Sequence, residues 1–524
     1  MISFTMSSWM EVISMKIELT FTVITLLAIS FAVLLHKSRK TTSRLPPGPC
    51  GLPLLGYLPF LGPNLHLEFT KMAKRFGPIF KLQLGSKTYI IVNSSDLAKV
   101  VVNENDDIFA NRDPPVAALI LSYGGKDITW SDNNPYWRNM RKVFVHEVLS
   151  NKNLEASSSF RRAGVRKTIK HVYERMGTDL DFGVIAFSTS LTVISSMVWG
   201  KSVDEEEESS NNLWGGFREV MSGVMDIVGE ANVSDFFPVL TRFDLQGVQR
   251  KMKQQFEKFD AILQRIIDER MSIKHKESTE QHGRKDFVQI LLELKQQNTE
   301  SSFSLTQIKA FLVDFFIAGT DTTTVMAEWT MTEVLKHADV MKKIQEELEQ
   351  VVGEHNIVEE SHLAKLRYLD AVIKETFRLH PALPLLVVRS PSRSCMVDGY
   401  TVPKGSNVYL NVWAIHRDPQ YWENPLEFDP NRFLNLDGTT KFNYNGLNTN
   451  FLAFGSGRRR CPGLPLGEKM LMYLLASLLH SFNWTLPDEK EHELPDKFGV
   501  VLKKGNPLIA IPSQRFAHKN LYME

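Results

Sequence analysis

Near the C-terminal end, Phe454-Gly-Ser-Gly-Arg-Arg-Arg-Cys-Pro-Gly463 sets a cysteine at the mouth of a long apolar helix, an arrangement few folds accommodate. Gly455, Gly457 and Gly463 allow the backbone to approach a flat partner closely. Pro462 suits the first position of the helix expected over 464–481, where a missing N–H costs nothing. A cysteine there meets unpaired amide donors and the positive end of the helix dipole, which lower its pKa and favour thiolate. Cys461 is therefore the expected metal ligand, and Arg459 an expected partner for a neighbouring anion. Cys50 and Cys395 lack such surroundings and are read as structural. Three scattered cysteines form no disulfide framework, which suits a reducing compartment.

A second unusual stretch, Ala318-Gly-Thr-Asp-Thr-Thr323, falls midway along a helix expected over 304–337, which opens with Ser304 and Gln307 as a capping box. Glycine costs about 1 kcal/mol inside a helix, and threonines can bond back to preceding carbonyls, so a local bulge is expected. Asp321 and Thr322 would form an acid and alcohol pair able to pass protons into the space so opened. Glu375 and Arg378 lie three apart on one helical face, a spacing that usually marks a weak surface pair. Trp137 and Arg141 lie one turn apart and offer an indole N–H and a cation on one face.

Together these stretches resemble the cytochromes P-450. The family pattern Phe-x-x-Gly-x-Arg-x-Cys-x-Gly is matched at Phe454, Gly457, Arg459, Cys461 and Gly463, and 318–323 resembles the family's oxygen-activating helix. Glu375 and Arg378, with Arg432 of Asp429-Pro-Asn-Arg-Phe433, resemble its Glu-Arg-Arg triad, whose role is structural. The resemblance implies haem b, with Cys461 on the iron and Asp321 and Thr322 as catalytic residues. It places Phe454, Gly455 and Gly463 against the haem, and Trp137, Arg141, Arg389 and Arg459 toward its propionates. It covers nearly the whole chain from the proline hinge to residue 503, with no departure at a catalytic position.

Electrons would come from NADPH through a separate reductase, because no nucleotide signature is present. Gly455-Ser-Gly457 lacks the third glycine of a dinucleotide fingerprint, Gly200-Lys-Ser lacks the upstream glycine of a phosphate loop, and there is no HExxH zinc helix. Arg458 and Arg460 are candidates for docking that reductase, with a solvated surface role weighed equally.

The start of the chain departs from a soluble pattern. Leu19–Leu35 carries no charge and just reaches the roughly 17–25 residues that span a bilayer. His36, Lys37, Arg39, Lys40 and Arg44 follow it, which favours an uncleaved single-pass anchor with the remainder cytosolic. Similar anchors and Pro46-Pro-Gly-Pro49 hinges mark plant endoplasmic-reticulum members of the family. The expected organisation is an anchor and basic flank at 1–44, a hinge at 45–50, and one catalytic domain at 51–524, mainly α with small β-sheets. Sequons at Asn93, Asn232 and Asn483 would then face the cytosol and stay bare.

Further helices are expected over 246–272 and 339–352, and hairpins from 79–83 with 88–92 and from 396–400 with 407–410. Asp204–Glu208 reads as a solvated loop. Lysine plus arginine (61) balances aspartate plus glutamate (60), so nucleic acid is not an expected partner. Residues 116–122, 235–246, 311–318, 383–388 and 498–501 are mostly apolar and would meet the substrate. The expected substrate is a small lipophilic plant metabolite, a flavonoid (as in a flavone hydroxylase) or a sesquiterpene or other terpenoid. A haem-thiolate isomerase or dehydratase would use Cys461 but leave Asp321 and Thr322 idle, and a non-catalytic haem protein would need neither.

Overall fold

The computed structural model describes Thr25 and residues 44–200, 217–274, 286–296, 303–487 and 495–523. The apolar run 19–35, apart from Thr25, and the acidic run 204–208 lie outside the described residues. The helices that frame the site are α1 (Val116–Leu121), α2 (Pro135–Val143), α3 (Phe182–Trp199), α4 (Val248–Lys274), α5 (Leu305–Lys336), α6 (Ala338–Val351), α7 (Arg367–Leu379) and α8 (Leu464–Ser481). Small sheets flank them, so the chain is mainly helical, as expected.

Both α3 and α5 are apolar enough to cross a membrane, yet both are mostly buried. A helix apolar on every side must be enclosed, and these two pack against each other and against the neighbouring helices of the core. Asp181 caps α3 by accepting from the Val184 N–H at 3.1 Å. The capping box of α5 forms as expected: the Ser304 hydroxyl accepts from the Gln307 N–H at 3.3 Å, and the Gln307 side chain accepts from the Ser304 N–H at 2.6 Å.

The expected bulge does not form. Helix α5 stays α-helical from Leu305 to Lys336, and the hydroxyls of Thr322 and Thr324 donate to the Ala318 and Thr320 carbonyls at 2.5 and 2.8 Å without breaking it. The glycine serves packing instead. A Cβ on Gly319 would stand 3.0 Å from Ile194 Cδ1 of α3, so its absence allows the close approach of the two helices.

Strands β1 (Ile79–Leu84) and β2 (Lys87–Val92) form the first expected hairpin. The short β3 (Leu180–Asp181) belongs to a second sheet. The other expected hairpin is corrected. Strand β4 (Cys395–Val397) pairs with β5 (Tyr400–Val402), whereas β6 (Asn407–Leu410) lies parallel beside β2. Asp398 and Gly399 have φ of +51° and +71°, the two positive values that a two-residue hairpin turn requires, so the chain reverses before reaching 407. Beyond α8, β7 (Phe482–Thr485) and β3 flank β10 (Ile509–Gln514), and β8 (Asp496–Lys497) pairs with β9 (Lys503–Lys504).

Helix α5 joins two cores. Its first half, from Ile308 to Phe316, packs with α3 and α4; its second, from Val325 to Val334, packs with α6, α7 and α8. Each large apolar side chain so enclosed contributes about 1.5–3 kcal/mol. Residues 318–323 fall in the gap between the cores, where Ala318 is exposed and Thr322 partly exposed on an otherwise largely buried helix.

Candidate active site

The cysteine loop folds back on itself. The Cys461 N–H donates to Phe454 O at 2.9 Å, Gly455 N–H to Leu452 O at 2.9 Å, and Arg460 N–H to Gly457 O at 3.0 Å. Gly455 and Gly457 take φ of +70° and +65°, and a Cβ on Gly457 would stand 2.6 Å from Asp106 Oδ1. Phe454 is wedged between the rings of Phe377 and Tyr444, 5.1 and 4.9 Å away. Helix α8 begins at Leu464 with Gly463 as its cap, and Pro465 rather than Pro462 occupies its first turn.

The expectation of a lowered Cys461 pKa needs correcting. The Gly463 and Leu464 amides and the Arg141 guanidinium pull it down, but burial outweighs them and pushes the thiol up. Dipole and amides alone do not offset the desolvation of this sulfur; a soft cation in contact with it would.

Next to this loop stands a cluster of guanidiniums. Arg459 donates to the carbonyls of Ala110 at 2.7 Å, Ile128 at 3.1 Å and Ser131, and lies 4.0 Å over the Trp137 ring. Arg389 donates to Ser456 O at 3.2 Å and stands 3.8 Å from Asp106. Arg141 donates to Arg460 O. The Trp137 indole N–H is taken by Ile128 O at 2.9 Å. Arg112, which sequence reasoning missed, joins them, donating to Val387 O at 2.7 Å, Val388 O at 2.8 Å and Thr129 O at 3.0 Å. It lies in an irregular segment, where no periodicity signals its partners.

Burial, and repulsion from Arg389 and Arg141, lower Arg459 to about 9; burial lowers Arg389 to about 10. Arg112 is pushed well below the usual arginine value by burial and by Arg459 and Arg389. So concentrated a set of cations suits anions, and two propionates beside a thiolate-held iron would match its charge, although the Trp137 indole N–H expected to meet them is engaged by Ile128 O and the guanidiniums donate to backbone carbonyls.

The triad closes as expected, although the pair is buried rather than superficial. Arg378 donates to both Glu375 oxygens at 2.7 Å, and Arg432 Nε to Oε1 at 3.3 Å. Glu375 and Arg378 are both 0% exposed.

Asp321 and Thr322 do not touch. Successive helical residues point roughly 100° apart, and the structure turns Asp321 toward Lys503 Nζ, 2.9 Å from Oδ1, while the Thr322 hydroxyl donates to Ala318 O.

The fold, the thiol loop and the cation cluster together define a haem-thiolate enzyme. The family model described as Cytochrome P450 matches residues 46–511, and the chain belongs to that family; it is a haem-thiolate monooxygenase. It is 36% identical to geraniol 8-hydroxylase of Catharanthus roseus, over 93% of this chain and 98% of that protein. It is 35% identical to flavonoid 3'-monooxygenase CYP75B137 of Crocosmia x crocosmiiflora, over 94% and 98%. Among solved structures, a zebra fish cytochrome P450 with progesterone superposes with a TM-score of 0.73 at 25% identity, over 86% of this chain and all of that one.

Proposed function

We propose that the protein hydroxylates a small lipophilic plant specialised metabolite at the expense of NADPH and O2, and that this metabolite is a flavonoid. The arrangement of the Cys461 loop beside Arg112, Arg389 and Arg459 carries the reading. Haem bound there supplies activation of dioxygen and insertion of one oxygen atom into the substrate. In balance, RH + O2 + NADPH + H+ gives ROH + H2O + NADP+. Cys461 holds the iron, the guanidiniums hold the propionates, and Asp321 with Thr322 brings protons.

Three apolar segments expected to meet the substrate converge: Phe236, Leu385 and Phe498 belong to one cluster. Asp235 also ties down α1, accepting from the Val116 N–H at 2.7 Å. A terpenoid is the second reading, supported by a geraniol 8-hydroxylase at 36% identity beside the flavonoid 3'-monooxygenase at 35%.

Electrons arrive from a separate NADPH-dependent reductase. A cavity of about 660 Å³ opens beside Cys461, lined among others by Arg138, Lys142, His146, Arg460 and Glu468; Arg458 on its rim is paired with Asp106 at 2.8 Å, and the remaining excess of cations suits an acidic partner. The same reading anchors the enzyme in the endoplasmic reticulum membrane through residues 1–44, with a hinge at 45–50 and the catalytic domain, 51–524, in the cytosol. Asn93 and Asn232 are buried, 8% and 3% exposed, whereas Asn483 is exposed, so glycan at Asn483 would overturn the cytosolic placement.

The test is a reduced carbon monoxide difference spectrum of wild type and Cys461→Ala, then binding spectra and NADPH-dependent turnover with flavones, geraniol and sesquiterpenes. A Soret shift that survives the substitution refutes Cys461 as ligand. Turnover of terpenes but not flavones moves the assignment to the second reading.

A further inference from the structure

Helix α1 covers the core that α4 and α5 share, and the turn behind it is tied down by side chains from both. Ala117 and Leu121 of α1 are buried in the same cluster as Phe259 of α4 and Phe311 and Phe315 of α5. Past the helix, the Tyr123 hydroxyl donates to Asp260 Oδ1 of α4 at 2.5 Å, and its ring meets that of Phe256 edge-on at 4.8 Å. From α5, Lys309 Nζ donates to the two Asp260 oxygens at 2.8 and 2.9 Å. One carboxylate thus holds a phenol from the α1 turn and an ammonium from α5. The backbone at this tied end is strained. Tyr123 has a φ of +53°, a left-handed conformation that bulky side chains rarely adopt, and Gly124 and Gly125 follow at +78° each. A Cβ on Gly124 would meet nothing within 4 Å, and one on Gly125 only Leu119 Cδ1 at 3.9 Å, so the turn has room to move.

We infer that Tyr123, Asp260 and Lys309 form a latch that closes a ligand passage between α1 and α4 and so selects ligands by size. This rests on the monooxygenase reading above, in which 116–122 and 311–318 face the substrate. While Asp260 holds the phenol, α1 stays against α4 and only small molecules reach the chamber. When the phenol lets go, Tyr123 relaxes out of its left-handed conformation, the two glycines turn with it, and α1 swings off α4 far enough for a bulky molecule to pass. Lys309 keeps the carboxylate in place for the phenol to return to. The Asp260 side chain is 33% exposed, so water takes the phenol's place on the carboxylate and opening leaves no buried acceptor bare.

The test needs no knowledge of the substrate. Stopped-flow Soret shifts of the haem-loaded full chain report the binding of clotrimazole, a bulky azole, and of imidazole, a small one. In wild type the clotrimazole rate should level off with concentration, whereas the imidazole rate should rise linearly. Tyr123→Phe, which keeps the ring against Phe256, should raise the levelled rate about fivefold, the scale of one lost hydrogen bond, and leave the imidazole rate unchanged. Lys309→Met should raise it too, and Lys309→Arg should return it to the wild-type value. A clotrimazole rate unaltered by Tyr123→Phe overturns the proposal, as does an equal gain for imidazole, which would mean a chamber loosened as a whole. A wild-type chain that shows neither an azole shift nor a thiolate signature in its reduced carbon monoxide spectrum overturns the haem-thiolate reading itself and the inference with it.

Discussion

Glu375→Gln changes one atom and removes one charge, and the geometry says where the damage falls. Oε1 accepts from Arg378 Nη2 at 2.7 Å, the Asp429 N–H at 3.0 Å and Arg432 Nε at 3.3 Å, whereas Oε2 accepts from Arg378 Nε at 2.7 Å. The amide nitrogen therefore settles at the Oε2 position, where it faces another donor. One charge-assisted bond, about 1.5–3 kcal/mol, is lost. Two guanidiniums, one of them fully buried, are left without their shared carboxylate, and breaking a buried pair in this way costs about 3–5 kcal/mol. Native stabilities are only about 5–15 kcal/mol. The urea midpoint of the haem-loaded protein should fall accordingly, its product with the slope m giving that loss. Arg378 keeps its bonds to the carbonyls of His416, Pro425 and Glu427, at 2.9, 2.7 and 2.9 Å, so surviving enzyme should keep its turnover per haem. A loss under about 1 kcal/mol would refute the reasoning, and so would lower turnover per haem at unchanged stability.

Arg112→Met should weaken haem retention, read as faster transfer to apomyoglobin, with the helical content intact; transfer at the wild-type rate would remove Arg112 from the cluster's function. Thr322→Ala should keep the carbon monoxide spectrum but divert NADPH into hydrogen peroxide, and an unchanged product yield per NADPH would exclude it from proton delivery. His416 is held down to about 3 by burial and by Arg378, while its Nε2 accepts from the Leu452 N–H at 2.8 Å. Because the unfolded chain protonates near pH 6.5 and the folded one does not, this stability is complete above pH 6.5 and lost as pH falls toward 3. At pH 5.5 it has dropped by roughly 1.4 kcal/mol. His66 and His480, both held near 4 by burial, act in the same direction. Equal urea midpoints at about pH 7.5 and 5.5 would refute the neutral assignment.

Local chemistry with a fixed spacing was legible in the sequence. The α5 capping box and the first hairpin depend on neighbouring residues and form as expected, and the Cys461 loop does lead into the apolar helix, although Pro462 stays outside its first turn. Glu375, Arg378 and Arg432 were recognised through family likeness, since spacing alone suggested a weak surface pair; its burial depends on the segment from His416 to Glu427 wrapping around it. Where sequence reasoning failed, a competing interaction won. The Asp398-Gly399 turn was the stronger hairpin signal and was overlooked, Gly319 proved to serve packing against Ile194 rather than a bulge, and burial outweighed the dipole at Cys461. Arg112 and Lys503 escaped notice because their partners are set by tertiary contacts far along the chain, Val387 and Asp321 respectively.

The fastening of β9 to α5 also constrains how this enzyme can diversify. Residues 498–501, which the proposed function sets against the substrate, run directly into Leu502, Lys503 and Lys504, each attached to the helix that carries Asp321. An insertion or deletion there shifts the register of those three attachments. Descendants of this chain that acquire new substrates should therefore vary side chains at 498–501 while keeping the length of the segment.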